Sequence, residues 1–451
     1  MIQANRYFQL IPDIVYQNLN TIENILRPGI KGFSSDNLKE VISIVACHVR
    51  KEDESAQLQI TYIKKLVPQG DRYLSGLIDL DIIQRSGFPI PGQTSFKYNF
   101  SPKYHSRYIS IPLNNAKLIK RIETVQESFR KETAKTIRSH SEQVKYLKQL
   151  SIADEYNDFI ESNFTSQTDQ YNSIVGSATR IINGDIFYSI DKTSGRFHSN
   201  ITNMAKGLRP YLRIKGEPLV NIDIKNSQPY LSTIILTDPG KVSWLTKNPA
   251  FALLLQTLKV SLSEDVKKYT FLVISGQLYE YLMQEFLNEG LQLNRNETKS
   301  QVLRILFARN RIPKDEINRK ARQIFIKNFP KVHRIFSKVR GSESGDKFQN
   351  FKRFAVLLQR IESYLMLDVI LKRIYKELPG TIAITIHDSV MTGILTNNVE
   401  AVRKIMTEEL TYFVGFSPKI KIEERESLER ENITLNQYVA TTSVNVIASM
   451  N

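Results

Sequence analysis

The spacing of hydrophobic residues changes along the first third of the chain. Three stretches carry apolar residues at helical intervals, SSDNLKEVISIVACHV, LQITYIKKLV and DRYLSGLIDLDII, and the first begins with a Ser-Asp cap. They predict three helices. Apolar and polar residues then alternate in SFKYNFSPKYHSRYISIPL, with the turn-forming residues PIPGQTS before them. This second pattern predicts a β-hairpin after the helices.

Three helices and a basic hairpin predict a winged-helix-like nucleic-acid-binding domain over residues 1–113, with Lys97, Lys103 and Arg107 on the wing. A small α/β scaffold is the alternative. Residues 114–190 begin with a long polar stretch, KLIKRIETVQESFRKETAKTIRSHSEQVKYLKQL, that carries interspersed charges of both signs. It predicts a solvated helix pair, or a helical, thumb-like arm lying along a duplex. Residues 191–451 form the third predicted domain.

Composition and charge narrow the class of partner. The chain has 451 residues, 41% of them hydrophobic, and 62 Lys and Arg against 46 Asp and Glu give a formal charge of +16. This excess favours nucleic acid over an anionic membrane, because basic side chains neutralise phosphates. Cys47 is the only cysteine, which excludes an internal disulfide and a Cys-rich metal site. With no leader pattern and no membrane-length apolar run, we expect a protein of the cytoplasm of a bacterial or phage-infected cell.

Two aspartates stand at the ends of β-rich segments. Asp223 lies in VNIDIKNSQPYL, and Asp388 lies in TIAITIHDSVMTGILT. Two carboxylates on adjacent strands can hold two divalent cations for phosphoryl or nucleotidyl transfer, and magnesium prefers such oxygen ligands. Taken alone, each aspartate also fits an ordinary strand end, where the backbone turns.

Three further motifs surround these aspartates in order. TSGRFHSN precedes Asp223, RNETKSQVLRILFARN follows it, and LLQRIESYLMLDVIL leads into Asp388. The series resembles the palm and fingers of family A DNA polymerases and of single-subunit phage-type RNA polymerases. The resemblance extends over about residues 191–395. It implies an α+β fold with a right-hand polymerase palm and fingers, a template-directed nucleotidyltransferase activity, and two magnesium ions (or manganese) at Asp223 and Asp388.

The resemblance also implies residues that bind the incoming nucleotide. Arg295, Lys299, Leu303 and Phe307 recur every four positions, so they lie along one side of a helix. In the family, the Arg and Lys of this motif hold the triphosphate, and the aromatic residue packs against base and sugar. Alone, the pattern is typical of an ordinary basic helix face.

Other matched positions imply contacts with primer and template. Arg196 in TSGR corresponds to an arginine near the growing end, and Gln359 corresponds to a glutamine in the minor groove of the nascent pair. His387 is expected to donate a hydrogen bond to the primer terminus. Glu362 is expected to orient its neighbours.

Several positions depart from the family A DNA polymerases. Ser389 stands where they usually carry a Glu, and Ser227 and Gln228 follow Asp223 at the spacing of the RNA polymerases. The sugar-contacting positions favour DNA synthesis, because Tyr230 can block a 2′-hydroxyl and Phe307 cannot hydrogen-bond to one.

The sequence therefore predicts a divergent phage or mobile-element DNA polymerase that extends a DNA primer-template with nucleoside triphosphates. A single-subunit RNA polymerase or primase is one alternative, and a non-catalytic winged-helix regulator with a polymerase-like body is another. His spacing predicts no zinc site, and no P-loop is present.

Overall fold

The computed structural model describes residues 7–50, 55–87, 95–137, 140–164, 168–341, 352–394 and 398–423, and its elements are mixed α and β. The chain divides into two compact units. Among the described residues, the first unit contains residues 7–189 and 199–219, and the second contains residues 190–198 and 220–423. The domain boundaries predicted at residues 113 and 190 stay a prediction.

The helices up to residue 189 are α1 (Asp13–Gln17), α2 (Leu19–Leu26), α3 (Ser35–His48), α4 (Ile60–Leu66), α5 (Gly70–Asp79), α6 (Ala116–Thr136), α7 (Ser141–Leu147), α8 (Tyr156–Phe164) and α9 (Thr168–Ile182). The strands up to residue 224 are β1 (Tyr7–Pro12), β2 (Val49–Arg50), β3 (Ser55–Gln57), β4 (Ile83–Ser86), β5 (Lys97–Phe100), β6 (Tyr108–Leu113), β7 (Leu150–Ile152), β8 (Tyr188–Ile190), β9 (Phe197–Ser199), β10 (Leu212–Ile214) and β11 (Glu217–Ile224). Short 3-10 helices cover Arg27–Gly29, Pro102–Tyr104 and Lys206–Tyr211.

The three predicted helices of the first third are confirmed as α3, α4 and α5. The Ser34 hydroxyl caps α3 by accepting from the backbone N–H of Asn37. Between and after these helices lies a small sheet with the strand order β2-β3-β5-β4. Along the chain, α3 is followed by β2 and β3, then by α4 and α5, and then by β4 and β5.

The predicted hairpin is wrong in its pairing. β5 pairs with β4, from Ile83 opposite Phe100 to Ser86 opposite Lys97, and β6 pairs instead with β1. Pro102 begins a 3-10 turn two residues after β5 and has no backbone N–H for a ladder, and the partner of each strand comes from elsewhere in the chain. The turn predicted in PIPGQTS lies outside the described residues, except for Ser95.

The long polar stretch forms α6, which is followed by the shorter α7. Of the predicted wing cations, Lys97 lies in β5, whereas Lys103 pairs with Asp81 at 3.1 Å and Arg107 pairs with Glu161.

The helices of the second unit are α10 (Ser227–Thr237), α11 (Pro249–Thr257), α12 (Glu264–Ile274), α13 (Leu278–Asn288), α14 (Arg295–Phe307), α15 (Glu316–Asn328), α16 (Pro330–Arg340), α17 (Arg353–Ser363), α18 (Leu371–Glu377) and α19 (Val399–Val414). Its further strands are β12 (Ala383–Ile386), β13 (Ser389–Gly393) and β14 (Ile420–Glu423). A 3-10 helix covers Pro239–Leu245, and a π-helical turn covers Tyr364–Ile370 between α17 and α18.

A sheet and a helical core define the second unit. Strand β13 lies between β12 and the end of β11, and β11 also pairs antiparallel with β14. The core joins the apolar residues of β11, including Ile222, to the buried faces of α10, α14, α16 and α17. Burial of this apolar surface is the main stabilising contribution. None of the described helices is both long and apolar enough to cross a membrane.

Candidate active site

Asp388 lies in a two-residue hairpin loop between β12 and β13. Ile386 pairs with Ser389, so His387 and Asp388 alone form the loop. His387 has a φ of +54°, a left-handed conformation that is uncommon for a residue with a Cβ. A short loop between two paired strands holds its side chains in a fixed direction. The sequence GTIAITIHDSVMTG forms this hairpin because its β-branched residues fill a buried sheet position on either side of the loop.

Asp223 is the second-last residue of β11, and its side chain is half-buried. Asn226 follows with a φ of +55°, and α10 begins at Ser227. Asparagine tolerates this left-handed conformation better than most residues do. Because β11 and β13 are hydrogen-bonded neighbours, the strand that carries Asp223 lies beside the strand that Asp388 precedes.

Glu362 is the centre of a buried polar network. Its carboxylate accepts hydrogen bonds from Arg196 Nε at 2.8 Å and from Arg196 Nη2 at 2.9 Å. Gln228 Nε2 donates a further hydrogen bond at 2.5 Å. The Glu362 side chain is 1% exposed and that of Arg196 is 21% exposed. A bidentate pair of this kind fixes the plane of the guanidinium as well as its position.

The loop that carries Arg196 is itself held in place. Asp191 accepts hydrogen bonds from the backbone of Thr193 and from both the backbone and the hydroxyl of Ser194. Gly195 has a φ of +77°, which favours glycine, and Arg360 Nε of α17 donates to the Thr193 carbonyl at 2.8 Å. Helix α17 thus holds the loop through two side chains, Arg360 and Glu362.

The pKa values link this network to the hairpin. Burial raises the pKa of the Asp388 carboxyl, and the positive charges of Arg196 and Lys299 oppose the shift. The nearby Ser227 hydroxyl also opposes this rise in the pKa of Asp388, although it forms no hydrogen bond with the described residues. Burial also raises the pKa of Glu362 to about 7, and the charge of Asp388 adds to that shift. Asp388 and the network therefore lie within electrostatic range of each other.

Helix α14 brings two of the predicted nucleotide-binding residues to the same region. Its N-terminus has a capping box, in which Asn294 and Glu297 bond to each other's backbone. Arg295 Nε donates to Glu280 at 2.7 Å, and its guanidinium lies 5.6 Å from the ring centroid of Tyr279. Lys299, one turn later, is exposed and has no ion pair among the described residues.

Tyr279 and Glu280 were not predicted from the sequence. Burial raises the pKa of Tyr279 to about 12, with Arg295 opposing the shift and Asp388 adding to it. Tyr279 therefore lies within electrostatic range of both Arg295 and Asp388. No spacing in the sequence relates α13 to either element, so only the fold identifies these two residues.

Phe307 and Tyr230 lie in packed surroundings. Phe307 is half-buried, and its ring centroid is 6.3 Å from that of Phe354. Tyr230 is 1% exposed, and its hydroxyl donates to the Phe416 carbonyl at 2.8 Å. Tyr230 is thus a packing residue of the core, with its one polar group satisfied.

The remaining predicted residues lie around the same network. Gln359 is half-buried on α17, one turn before Glu362. His387 contacts His198 edge to face, with 5.6 Å between the ring centroids. Burial lowers the pKa of His198, and Arg196 lowers it further while Asp191 raises it.

The side chains at Asp223 and Asp388 fit divalent cations in their donor chemistry. Carboxylate oxygens are the ligands that magnesium prefers, and few protein ligands are needed when substrate phosphates and water complete the shell. No group of three or more His, Cys, Asp or Glu side chains forms a complete cage within the described ranges. Because burial disfavours a bare Asp388 carboxylate, a cation bound there offsets part of that cost.

Comparison with known proteins gives little to identify the chain. No protein-family model matches it, and no curated protein matches its sequence. Among solved structures, it is similar to the POL domain of Pol1 from M. smegmatis, in complex with DNA primer-template and dNTP, with a TM-score of 0.32 and 10% sequence identity. The similarity covers 60% of this chain and 56% of that domain, so this chain spans little more than half of its length. A likeness this low assigns no family and no activity.

Proposed function

We propose that the second unit is a template-directed nucleotidyltransferase that extends a DNA primer with deoxynucleoside triphosphates and magnesium. One observation carries the proposal. Asp223 near the end of β11 and the half-buried Asp388 in the two-residue loop before β13 lie on neighbouring strands, and Asp388 is within electrostatic range of Arg196 and Lys299 from distant parts of the chain. A carboxylate with a raised pKa beside specific charge partners is typical of a functional site.

The proposed role of each residue follows from the charge of the group that it contacts. Lys299 and Arg295, on one side of α14, bind the negative triphosphate, and Glu280 holds the Arg295 guanidinium in place. Arg196, fixed by Glu362, contacts the primer end, and Gln359 on α17 contacts the newly formed pair. Asp223 and Asp388 would hold two magnesium ions, of which one would lower the pKa of the attacking hydroxyl and the other would neutralise charge on the leaving pyrophosphate.

The first unit is proposed to hold a winged-helix-like module. What supports this is the order of α3, β3, α4, α5, β4 and β5, and the sheet order in which β5 lies between β3 and β4. In such a module β4 and β5 form the stem of the wing, one strand earlier than the sequence pattern predicted.

Primer extension tests the proposal. Purified wild-type protein, Asp388→Asn and Asp223→Asn are compared on a labelled primer-template with magnesium and the four dNTPs. We expect both variants to lose activity by orders of magnitude while their melting temperatures stay close to that of the wild type. Each substitution removes the charge of a metal ligand with little change in side-chain volume. Asp368→Asn is the matched control, since Asp368 forms only a surface pair with Lys372. Equal incorporation by Asp388→Asn and wild type contradicts the assignment.

A further inference from the structure

One face of α6 in the first unit carries cations and an aromatic ring toward α4. Arg121, Val125 and Phe129 follow one another at intervals of four residues, which places them on one side of the helix. Arg121 Nε donates to the Lys65 carbonyl at 3.0 Å, and Lys65 Nζ lies 5.0 Å from the Phe129 ring centroid. We call the surface between the two helices the α4/α6 groove.

The outer end of the α4/α6 groove is basic. A cavity of about 370 Å³ is lined there by Lys65, Lys120, Arg121, Thr124 and Val125, with no acidic residue. These three cations form no ion pair within the part of the chain that the structure describes. The acidic residues Glu123 and Glu127 line a separate cavity that Lys120 also borders, and Glu127 pairs with Arg130 and Lys131. Three cations without a carboxylate partner attract an anion.

The middle of the groove is aromatic. A cavity of about 290 Å³ shares Lys65 with the basic end and has Tyr62 and Phe129 in its wall. The two rings are tilted, with their centroids 5.5 Å apart, and both side chains are only partly buried. Each ring therefore keeps surface that a flat ligand can contact.

Tyr62 and Phe129 also line an inner cavity of about 240 Å³. Its wall includes Arg180 and Asp185, whose Nε and Oδ2 atoms are 2.6 Å apart. Small-molecule pockets typically measure about 300–1,000 Å³. The inner cavity is smaller than these and suits at most a single planar ring system.

We propose that the α4/α6 groove binds single-stranded nucleic acid, with phosphates at Lys65, Lys120 and Arg121 and a base stacked on Phe129. Proteins bind unpaired strands with a basic track next to aromatic rings on which bases can stack, because bases in a duplex are already stacked on each other. The surface belongs to the first unit and uses none of the residues proposed for catalysis. It adds a strand-binding function that is separate from nucleotide transfer.

Fluorescence anisotropy with a labelled 20-nucleotide oligo(dT) tests the aromatic contact in the full chain. We expect Phe129→Ala and Phe129→Leu each to weaken binding roughly tenfold, because the loss of one stacked base is in that range. Phe129→Leu keeps an apolar side chain of similar size, so its thermal unfolding reports whether the fold is retained. Wild-type affinity in a folded Phe129→Leu protein overturns the proposal, and so does an equal loss of affinity in that variant for a blunt duplex of the same length.

Salt titration tests the basic end. In the double variant Lys65→Gln with Lys120→Gln, the slope of log affinity against log salt is expected to become less steep by about 1.4, since each of the two single-strand phosphate contacts contributes about 0.7. Lys131→Gln is the matched control, because Lys131 lies on the same helix and faces Glu127, and its slope should equal that of the wild type. An unchanged slope in the double variant contradicts the phosphate assignment. Asp388→Asn should bind oligo(dT) as the wild type does. A failure of the proposed nucleotide transfer is therefore seen in primer extension, whereas a failure of the proposed strand binding is seen in the affinity for oligo(dT).

Discussion

Glu362 is the residue on which the position of Arg196 depends. With glutamine in its place, one of the two carboxylate oxygens that accept from Arg196 is lost, together with the charge. Hydrogen bonds to charged groups contribute about 1.5–3 kcal/mol, so Glu362→Gln should weaken primer-template affinity at least tenfold with little change in the affinity for nucleotide. Glu377→Gln is the control, since Glu377 pairs with Arg373 on the surface. Steady-state kinetics with varied primer-template would measure the change.

The same variant should change the pH profile. The pKa of Glu362 is raised to about 7, so the carboxylate is ionised above that pH and protonated below it. The ion pair with Arg196 is therefore lost as the pH falls. Wild-type primer affinity should weaken between pH 8 and pH 6, and the affinity of Glu362→Gln should stay flat over that range. A wild-type profile without this dependence speaks against a role for the ion pair.

Tyr230 is expected to matter for stability and not for the choice of sugar. Removing a buried aromatic ring costs about 3–5 kcal/mol of unfolding free energy, so Tyr230→Ala should be strongly destabilised. Tyr230→Phe leaves the Phe416 carbonyl without its partner and should cost about 1–3 kcal/mol. Parallel extension reactions with dNTPs and rNTPs should give the same ratio of rates in wild type and Tyr230→Phe. If Tyr230→Phe folds normally but accepts ribonucleotides more readily, Tyr230 acts on the sugar as the sequence predicts.

The sequence could locate some of these residues and not others. Asp223 and Asp388 could be located because each lies at the end of a β-rich run, and such a run predicts a strand from local sequence alone. The burial of Tyr230 was not predictable, since α10 is apolar on several sides and the spacing alone does not say which side faces the core. Glu280 and Tyr279 carry no local signal, because their relation to Arg295 depends on how α13 packs on α14.

At the scale of elements, α14 depends on a buried guanidinium at its C-terminal end. Arg340 of α16 is 1% exposed and donates to the carbonyls of Ile305 and Leu306, the latter at 3.1 Å. Burial lowers the pKa of Arg340 to about 10. The carbonyls at the end of a helix have no partner in the helix itself, so this side chain satisfies groups that burial would otherwise make costly.

Arg340→Met should therefore loosen the last turn of α14. We expect a loss of about 1–3 kcal/mol of stability from the unsatisfied carbonyls and faster hydrogen exchange in the last turn, with the capped first turn unchanged. Arg334→Met, an exposed position on the same helix, should stay within about 0.5 kcal/mol of wild type. Unchanged exchange at Ile305 and Leu306 in Arg340→Met shows that the guanidinium is not needed there.

Elements were predicted best where one local pattern determines them. Helices α3 to α5 could be predicted from the spacing of their apolar residues, because that spacing places an apolar face on one side of the helix whatever packs against it. The pairing of β5 did not follow, because a strand pattern names no partner: β5 pairs with strands on both sides, and β6 pairs with β1 from the start of the chain. Strand pairing is a non-local choice that sequence periodicity leaves open.

For the whole molecule, the charge of +16 predicts salt-dependent binding of nucleic acid. Cations released from the phosphates drive such binding, so log affinity should fall linearly with log salt. With several phosphate contacts, the affinity for a primer-template should fall by orders of magnitude between about 50 and 200 mM salt. Anisotropy at each salt concentration measures the slope, and sucrose, which carries no charge, should leave the affinity nearly unchanged. A flat response to salt means that the positive excess is not used for phosphate contacts.

The division into units was beyond what the sequence could predict. Composition and charge describe the whole chain at once, and they indicated a large folded protein with an anionic partner. They do not reveal that residues 190–198 belong to the same unit as residues 220–423. That association depends on contacts such as the one between Arg196 and Glu362, which are 166 residues apart.

This separation has a consequence for the newly made chain on the ribosome. At about 5–20 residues per second, the 166 residues between Arg196 and Glu362 take roughly 8–30 s to synthesise. During that interval the 190–198 segment has left the ribosome without the helix that holds it, and a protease has time to reach it. A nascent chain stalled before α17 should therefore be cut near Arg196, whereas one released after α17 should be protected there.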